Sequence, residues 1–168
     1  MRARLTQQRW HLSHRADVRA LPLADRHYNR QKPGSPQFVP PGRCLVLLTE
    51  NADALWVTSW PKGEYVQHAW PGAWINSLFR NESDALASEL VIEAVAATMA
   101  FFGKPPKQGL VTFVDHDEIQ PTRTPGRCYR KAGFEEVGRT QAGLVVLQLP
   151  PNKMPMALGA LPMLGEAA

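Results

Sequence analysis

The stretch Gly109–Gly138 reads GLVTFVDHDEIQPTRTPGRCYRKAGFEEVG, and it decides the fold that we expect. Its apolar beginning, Leu110–Val114, predicts a buried strand. A loop punctuated by prolines follows, and then a short helix that contains Tyr129. Gly133 is a helix C-cap signal directly before the apolar Phe134, so a second strand is predicted to start there. This order of strand, loop, helix and strand is typical of an α/β protein.

Polar side chains follow the first of these strands where it ends: Asp115, His116 and Asp117. Open α/β sheets tend to hold ligands at the carboxyl ends of their strands, so this edge is a candidate site. A solvated strand end without a chemical role is the alternative interpretation.

The composition describes one globular domain. The chain has 168 residues, of which 44% are hydrophobic, and its mean hydropathy is -0.28. This length supports one substantial core and is short for two. We assign residues 1–150 to a single domain and expect residues 151–168, which alternate Pro with Met and Leu, to form a flexible or surface-draped tail.

The charge and the sequence ends bear on partners and location. A net charge of +4 and a pI near 9.3 are compatible with DNA or with an anionic cofactor such as coenzyme A. No apolar run approaches the roughly 20 residues that span a bilayer, and the basic N-terminus lacks the apolar core of a signal peptide. We therefore expect a cytoplasmic protein without membrane contact. Cys44 and Cys128 are expected to be free thiols, because they form no metal-binding motif.

Apolar runs elsewhere in the chain predict further strands. Arg43–Thr49 and Ala54–Trp60 predict an antiparallel hairpin. Trp74–Phe79 alternates strictly, as a strand crossing the sheet would. Leu144–Leu149 is predicted to be the last strand and to pair with Phe134–Arg139.

Helical patterns separate these strands. A short helix is predicted to open at Pro22 and to continue to Gln31, before a proline-rich loop. A long helix, Asp84–Phe102, is predicted from its apolar face, with Asn81 as its N-cap and Glu93 on its polar side. The whole order predicts an α/β fold with a mixed, mostly antiparallel sheet and helices on both faces.

This order and the run Cys128–Phe134 (CYRKAGF) resemble the GNAT superfamily of N-acetyltransferases. In that family the central strand leads into a long helix whose N-terminus cradles the pyrophosphate of acetyl-coenzyme A. The usual loop pattern, Gln/Arg-x-x-Gly-x-Gly/Ala, is matched here by Arg80–Ala85 (RNESDA), with a serine in place of the first glycine. The resemblance implies acetyl-CoA or a related acyl-CoA as donor, held by Arg80, Asn81, Ser83 and Ala85. It also gives Tyr129 the role of general acid to the departing thiolate.

The same loop departs from the family pattern in its charge. Glu82 and Asp84 would put carboxylates beside a bound diphosphate and oppose its attraction to the helix N-terminus. This departure motivates an alternative, a catalytically silent GNAT-fold binding protein. An ordinary N-acetyltransferase that acts on a small molecule or a protein is a further alternative.

A narrower resemblance is to the Mom family of phage DNA-modification proteins, a divergent GNAT-like branch that modifies the exocyclic amine of adenine. The shared features are the His27-Tyr28 pair, Arg80, an acid after the following strand and Tyr129. The resemblance implies catalytic roles for Tyr28, Asp115 and Tyr129. It implies DNA as the substrate, contacted by His27, Arg30, Asp117 and Arg127.

This chemistry sets further expectations. An adenine inside duplex DNA must be flipped out of the helix, and Tyr28 or Trp74 could stack on it. Asp117 is the reserve for Asp115 as the acid. The structural alternative for Tyr129 is a core tyrosine with a satisfied hydroxyl. A metal site is a further alternative, because His27, Asp115 and His116 are residue types that bind non-haem iron. Their spacing in the sequence does not by itself indicate such a site.

Overall fold

The computed structural model describes residues 2–27, 30, 32–61, 69–115 and 126–165. The strands of this part of the chain are β1 (Trp10–Leu12), β2 (Arg43–Thr49), β3 (Ala54–Trp60), β4 (Trp74–Asn81), β5 (Leu110–Val114), β6 (Glu135–Arg139) and β7 (Val145–Leu149). The α-helices are α1 (Leu21–Asp25), α2 (Ala87–Phe102) and α3 (Arg127–Lys131). The described strands form one sheet in the order β1-β2-β3-β4-β5-β7-β6. Neighbouring strands are antiparallel except β4 and β5, which are parallel.

The apolar runs of the sequence bury both faces of this sheet. In β2, Leu45 and Leu47 pack against α2, whereas Val46 and Leu48 pack against α1 on the opposite face. This alternation follows from the two-residue period of a strand. The α/β class, the mixed and mostly antiparallel sheet and the placement of helices on both faces are therefore confirmed. The predicted hairpin of β2 and β3 and the pairing of β6 with β7 are also confirmed.

Helix α2 begins later than predicted. Its N-cap is Leu86, and the assignment of this role to Asn81 was wrong. Asn81 still belongs to β4, where it pairs with Ala54, so its backbone is extended. Its side chain accepts a hydrogen bond from the amide of Ser83 at 2.9 Å and donates to the carbonyl of Ala85 at 2.8 Å. Asn81 therefore shapes the loop before the helix.

The polar side predicted for α2 is also covered by protein. Glu93 is 5% exposed and Phe101 is 51% exposed, the reverse of the expected pattern. The reason lies far away in the sequence, because Arg9 reaches Glu93 with Nη2 at 2.6 Å from Oε2. The Gln8 side chain spans the same region, donating to the carbonyls of Glu93 and Leu158.

The segment after residue 150 runs along α2 and β1. Met154 belongs to the main core and is 1% exposed. The amide of Leu158 donates to the carbonyl of Ala96 at 3.1 Å, and Leu161 forms a parallel bridge with His11. The described part of this tail thus covers α2 and the edge of the sheet. None of the described helices combines the length and apolar character that crossing a bilayer requires.

Candidate functional site

A cleft opens where β4 and β5 stop pairing. Trp74–Asn76 pairs with Leu110–Thr112, and the pairing ends there although both strands continue. The gap beyond holds a cavity of about 510 Å³. This position is the carboxyl end of a parallel strand pair, where α/β sheets commonly hold ligands. The lining residues on which the chemistry depends are His27, Asn76, Leu86, Ser88, Arg127, Cys128, Tyr129 and Lys131.

A β-bulge at Ser77 shapes the floor of the cleft. Asn76 pairs with Thr58 and Leu78 pairs with Val57, so Ser77 is the extra residue in β4. The strict alternation predicted for this strand is therefore wrong from Ser77 onward. A bulge bends its strand and redirects the neighbouring side chains. Asn76, which is 4% exposed, lies immediately before it at the point where the two strands part.

The phenol of Tyr129 lies against this asparagine. Its hydroxyl donates to Oδ1 of Asn76 at 2.7 Å. The ring packs among aromatic side chains, with centroid separations of 5.4 Å to Phe134, 6.1 Å to Phe79 and 6.5 Å to Trp56. The ring of Tyr129 therefore belongs to the core, and its hydroxyl edge belongs to the cleft. The interpretation as a core tyrosine and the interpretation as a site residue are compatible.

Gly126 sets the start of the helix that carries Tyr129. It has a φ of 68°, and a Cβ there would lie 2.3 Å from Cδ1 of Leu147. Glycine is the residue that adopts this left-handed conformation at little cost. Gly126 therefore allows α3 to begin at the lining of the cleft.

The described lining carries positive charge and no carboxylate. Arg127 and Lys131 lie on α3 and are exposed, and within the described ranges neither forms an ion pair. The first turn of α2, at Ala87 and Ser88, forms another part of the wall. Its N-cap residue is a leucine, whose side chain cannot accept a hydrogen bond, so the helix amides there are left to other acceptors. The electrostatics of the cleft favour an anion.

The acidic loop residue Glu82 is neutralised by protein. Arg26 donates to it with Nε at 2.7 Å and Nη2 at 2.8 Å, and Nε of Arg80 donates at 2.7 Å. These two guanidinium groups lower the pKa of the Glu82 carboxyl to about 2. Glu82 therefore adds no net negative charge to this loop, since its cluster with Arg26 and Arg80 carries one net positive charge.

The residues expected to hold the donor do not all face this cleft. Asn81 lines it, but Ser83 and Ala85 line a separate depression beside β1 and the turn between β2 and β3. Arg80 is outside the described lining, and its Nη1 donates to the carbonyl of Arg26 at 3.1 Å. The loop Arg80–Ala85 is thus divided between two sides because α2 begins only at Ala87, after its N-cap Leu86.

Helix α1 ends at Asp25, so His27 follows the helix and does not lie in it. The prediction that the helix continues to Gln31 is wrong. Asp25 accepts hydrogen bonds from Nε of Arg30 at 2.8 Å and from the amide of Gly34 at 3.1 Å, which ties the following loop back to the helix end. Arg30 also donates to the carbonyls of Gln37 and Ser35. Its guanidinium is used in this loop, and it does not line the cleft as the substrate-binding assignment requires.

The remaining candidates are placed as follows. His27 and Arg127 line the cleft, whereas the half-buried Asp115, which directly follows β5, lies outside the described lining. Tyr28, His116 and Asp117 lie outside the described residues, and the roles proposed for them stay predictions. Trp74 is fully buried, so it cannot stack on a flipped base as suggested.

Some lining residues were not singled out from the sequence. Asn76 was an unusual polar residue in an apolar strand, and this is the signal that could have drawn attention to it. Cys128 lies within CYRKAGF, and burial raises the pKa of its thiol to about 11. Cys44 and Cys128 are free thiols, as expected. Among the described residues, no group of three His, Cys, Asp or Glu side chains is arranged to hold a metal ion.

Comparisons of the chain with family models, with curated proteins and with solved structures find no match.

Proposed function

We propose that this chain is a GNAT-like acyltransferase that binds an acyl-CoA donor in the cleft between β4 and β5. The observation that carries the proposal is the composition of that cleft. A tyrosine hydroxyl lies at its floor, and exposed cations and the amides of a long helix lie along its wall. These are groups that can meet the reacting centre and a phosphorylated carrier, respectively.

The residues of the chain fit an anionic donor at one part of the cleft. Arg127 and Lys131 carry positive charge on α3. The first backbone amides of α2 carry partial positive charge at another part of the cleft wall. Together they can hold phosphate oxygens without any opposing carboxylate in the described lining. Leu86, which is 65% exposed, adds an apolar contact at the same wall. An acyl-CoA supplies an activated thioester when it is bound.

The polar floor of the cleft suits the transfer itself. Asn76, Thr112 and Tyr129 supply its polar groups, and the aromatic side chains behind Tyr129 hold the phenol in place. The lining draws on both faces of the sheet, with α2 and α3 on one side and His27 on the other. A donor held against α2 and α3 therefore leaves the side of His27 to the acceptor.

The finer form of the proposal is modification of the exocyclic amine of adenine in DNA, as in the Mom family. Its support is the position of His27 at the cleft and the net positive charge of the Arg26, Arg80 and Glu82 cluster beside it. Phosphates of a nucleic acid can approach such a surface.

Titration calorimetry with acetyl-CoA tests the donor, and mass spectrometry of nucleosides from DNA of expressing cells tests the acceptor. We expect acetyl-CoA to bind and Arg127→Gln/Lys131→Gln to bind it more weakly, with Arg139→Gln on β6 as the matched control. An absence of acetyl-CoA and other acyl-CoA binding to folded protein would refute the enzyme and favour the silent binding protein. Binding with unmodified adenine would refute the DNA form and leave a transferase with another acceptor.

A further inference from the structure

The buried amide of Asn76 has its orientation fixed by the main chain. Its Nδ2 donates to the carbonyls of Val57 at 3.0 Å and Leu78 at 2.9 Å. Both acceptors belong to the β-bulge around Ser77. Turning the amide over would direct an oxygen at two carbonyl oxygens, which are acceptors without a proton to give. Oδ1 must therefore point away from the bulge, towards Tyr129 and Thr112.

This orientation decides where the proton of Tyr129 lies. Oδ1 is an acceptor, so the phenol at 2.7 Å donates its proton to Asn76. Oγ1 of Thr112 lies 3.2 Å from the same Oδ1 and 3.3 Å from the main-chain oxygen of Asn76, so it is also directed to acceptors. The phenol has a single proton, and its remaining hydrogen-bonding capacity is that of an acceptor.

We infer that Asn76 is a positioning residue that fixes the polarity of Tyr129, so that the phenol can act towards a ligand in the cleft only as an acceptor and favours a ligand that donates N–H. Resting on the proposed function, this inference makes Tyr129 the group that orients the acceptor amine. It departs from the general acid that the family resemblance implies, because a hydroxyl whose proton is held by Asn76 must break that bond before it can protonate a thiolate.

The two roles predict different kinetics for Tyr129→Phe. Loss of one orienting hydrogen bond, at roughly 0.5–1.5 kcal/mol, corresponds to a decrease of about 2- to 13-fold in kcat/KM. The ratio of wild-type to variant rates should then be independent of pH. Loss of a general acid would lower the rate by about 100- to 10,000-fold and remove one limb of the pH profile. Thr98→Val is the matched control, since it removes a buried hydroxyl of α2 that lies outside the cleft lining and leaves the bond between Asn76 and Tyr129 in place.

Neutron diffraction from the deuterated protein tests the polarity without requiring activity. We expect a deuteron on the Tyr129 oxygen that points to Oδ1 of Asn76, and two deuterons on Nδ2 of Asn76 that point to Val57 and Leu78. A deuteron pointing from Tyr129 into the cleft, or an amide with Nδ2 facing Tyr129, would overturn the inference. Asn76→Ala should turn the phenol proton into the cleft. Where that variant does not fold, the wild-type map still decides.

The outcomes separate this inference from the function on which it rests. A protein that transfers no acyl group while its neutron map shows the expected deuterons would refute the proposed function and leave the polarity of Tyr129 established. An active enzyme whose Tyr129→Phe variant loses 100-fold or more, together with one limb of its pH profile, would refute the orienting role and leave the acyltransferase in place.

Discussion

Arg26 and Glu82 join the end of helix α1 to the loop before helix α2. The Nε and Nη2 atoms of Arg26 donate hydrogen bonds to Oε2 and Oε1 of Glu82, at 2.7 and 2.8 Å respectively. Arg80 completes the cluster from the end of β4. Since His27 follows Arg26 directly and lines the cleft, this contact holds one wall of the candidate site to the strand that forms its floor.

We predict that Glu82→Gln reduces stability slightly and that the difference depends on pH. The paired guanidinium groups lower the pKa of Glu82 to about 2, below the value of about 4.3 expected in the unfolded chain. A carboxyl with a depressed pKa stabilises the fold above its unfolded pKa, and this contribution disappears as the pH falls towards 2. Urea midpoints of both proteins should therefore differ at pH 7 and converge towards pH 2.

Asp84→Asn is the control for this titration, because Asp84 lies exposed on the same loop and, among the described residues, has no ion pair. Its urea midpoint should follow that of the wild type. A Glu82→Gln difference that persists unchanged at pH 2 would show that packing, and not charge, is responsible.

Arg127→Gln and Lys131→Gln are predicted to weaken acyl-CoA binding about 2- to 5-fold each, the range of an exposed charge contact. Both side chains are exposed, so added salt should screen their contribution. Calorimetry at low and high ionic strength measures how the dissociation constant for acyl-CoA depends on salt. The wild-type affinity should fall with salt more steeply than that of the double variant. An equal salt dependence in the two proteins would remove these residues from the binding site.

The sequence predicted the elements whose signals are local. The runs that became β2, β3 and β5 are apolar over their own length, and α2 carries its helical period within itself. The candidate site depends on contacts between distant positions. Nothing near Asn76 indicates a bulge that aims it at Tyr129, and nothing near Glu93 indicates Arg9 as its partner. Asparagine is a residue type that often caps helices, but Asn81 in β4 pairs with Ala54 and does not cap α2.

The ion pair between Arg9 and Glu93 gives a prediction about stability. Arg9→Met should lower the free energy of unfolding by about 3 kcal/mol, because it leaves the carboxylate of Glu93 buried without its charge partner. The double variant Arg9→Met/Glu93→Met should recover most of this loss. Urea unfolding measures both.

Glu89→Gln is the matched control for that pair. Glu89 meets the same guanidinium at 2.9 Å but is 54% exposed, so its removal should cost less than about 1 kcal/mol. A double variant as unstable as Arg9→Met alone would indicate that an unpaired charge on Glu93 is not the cause of the lost stability.

The thiol of Cys128 provides a final prediction within the cleft. Burial raises its pKa to about 11, so at pH 8 only about one molecule in a thousand carries the reactive thiolate. In a Cys44→Ser background, iodoacetamide should therefore modify Cys128 about 200-fold more slowly than a free thiol of pKa near 8.5. The rate, followed by mass spectrometry, should rise tenfold per pH unit up to about pH 11, and acetyl-CoA should slow it further by filling the cleft. A plateau near pH 8.5 would mean that Cys128 is solvated, and a rate unchanged by saturating acetyl-CoA would place the donor elsewhere.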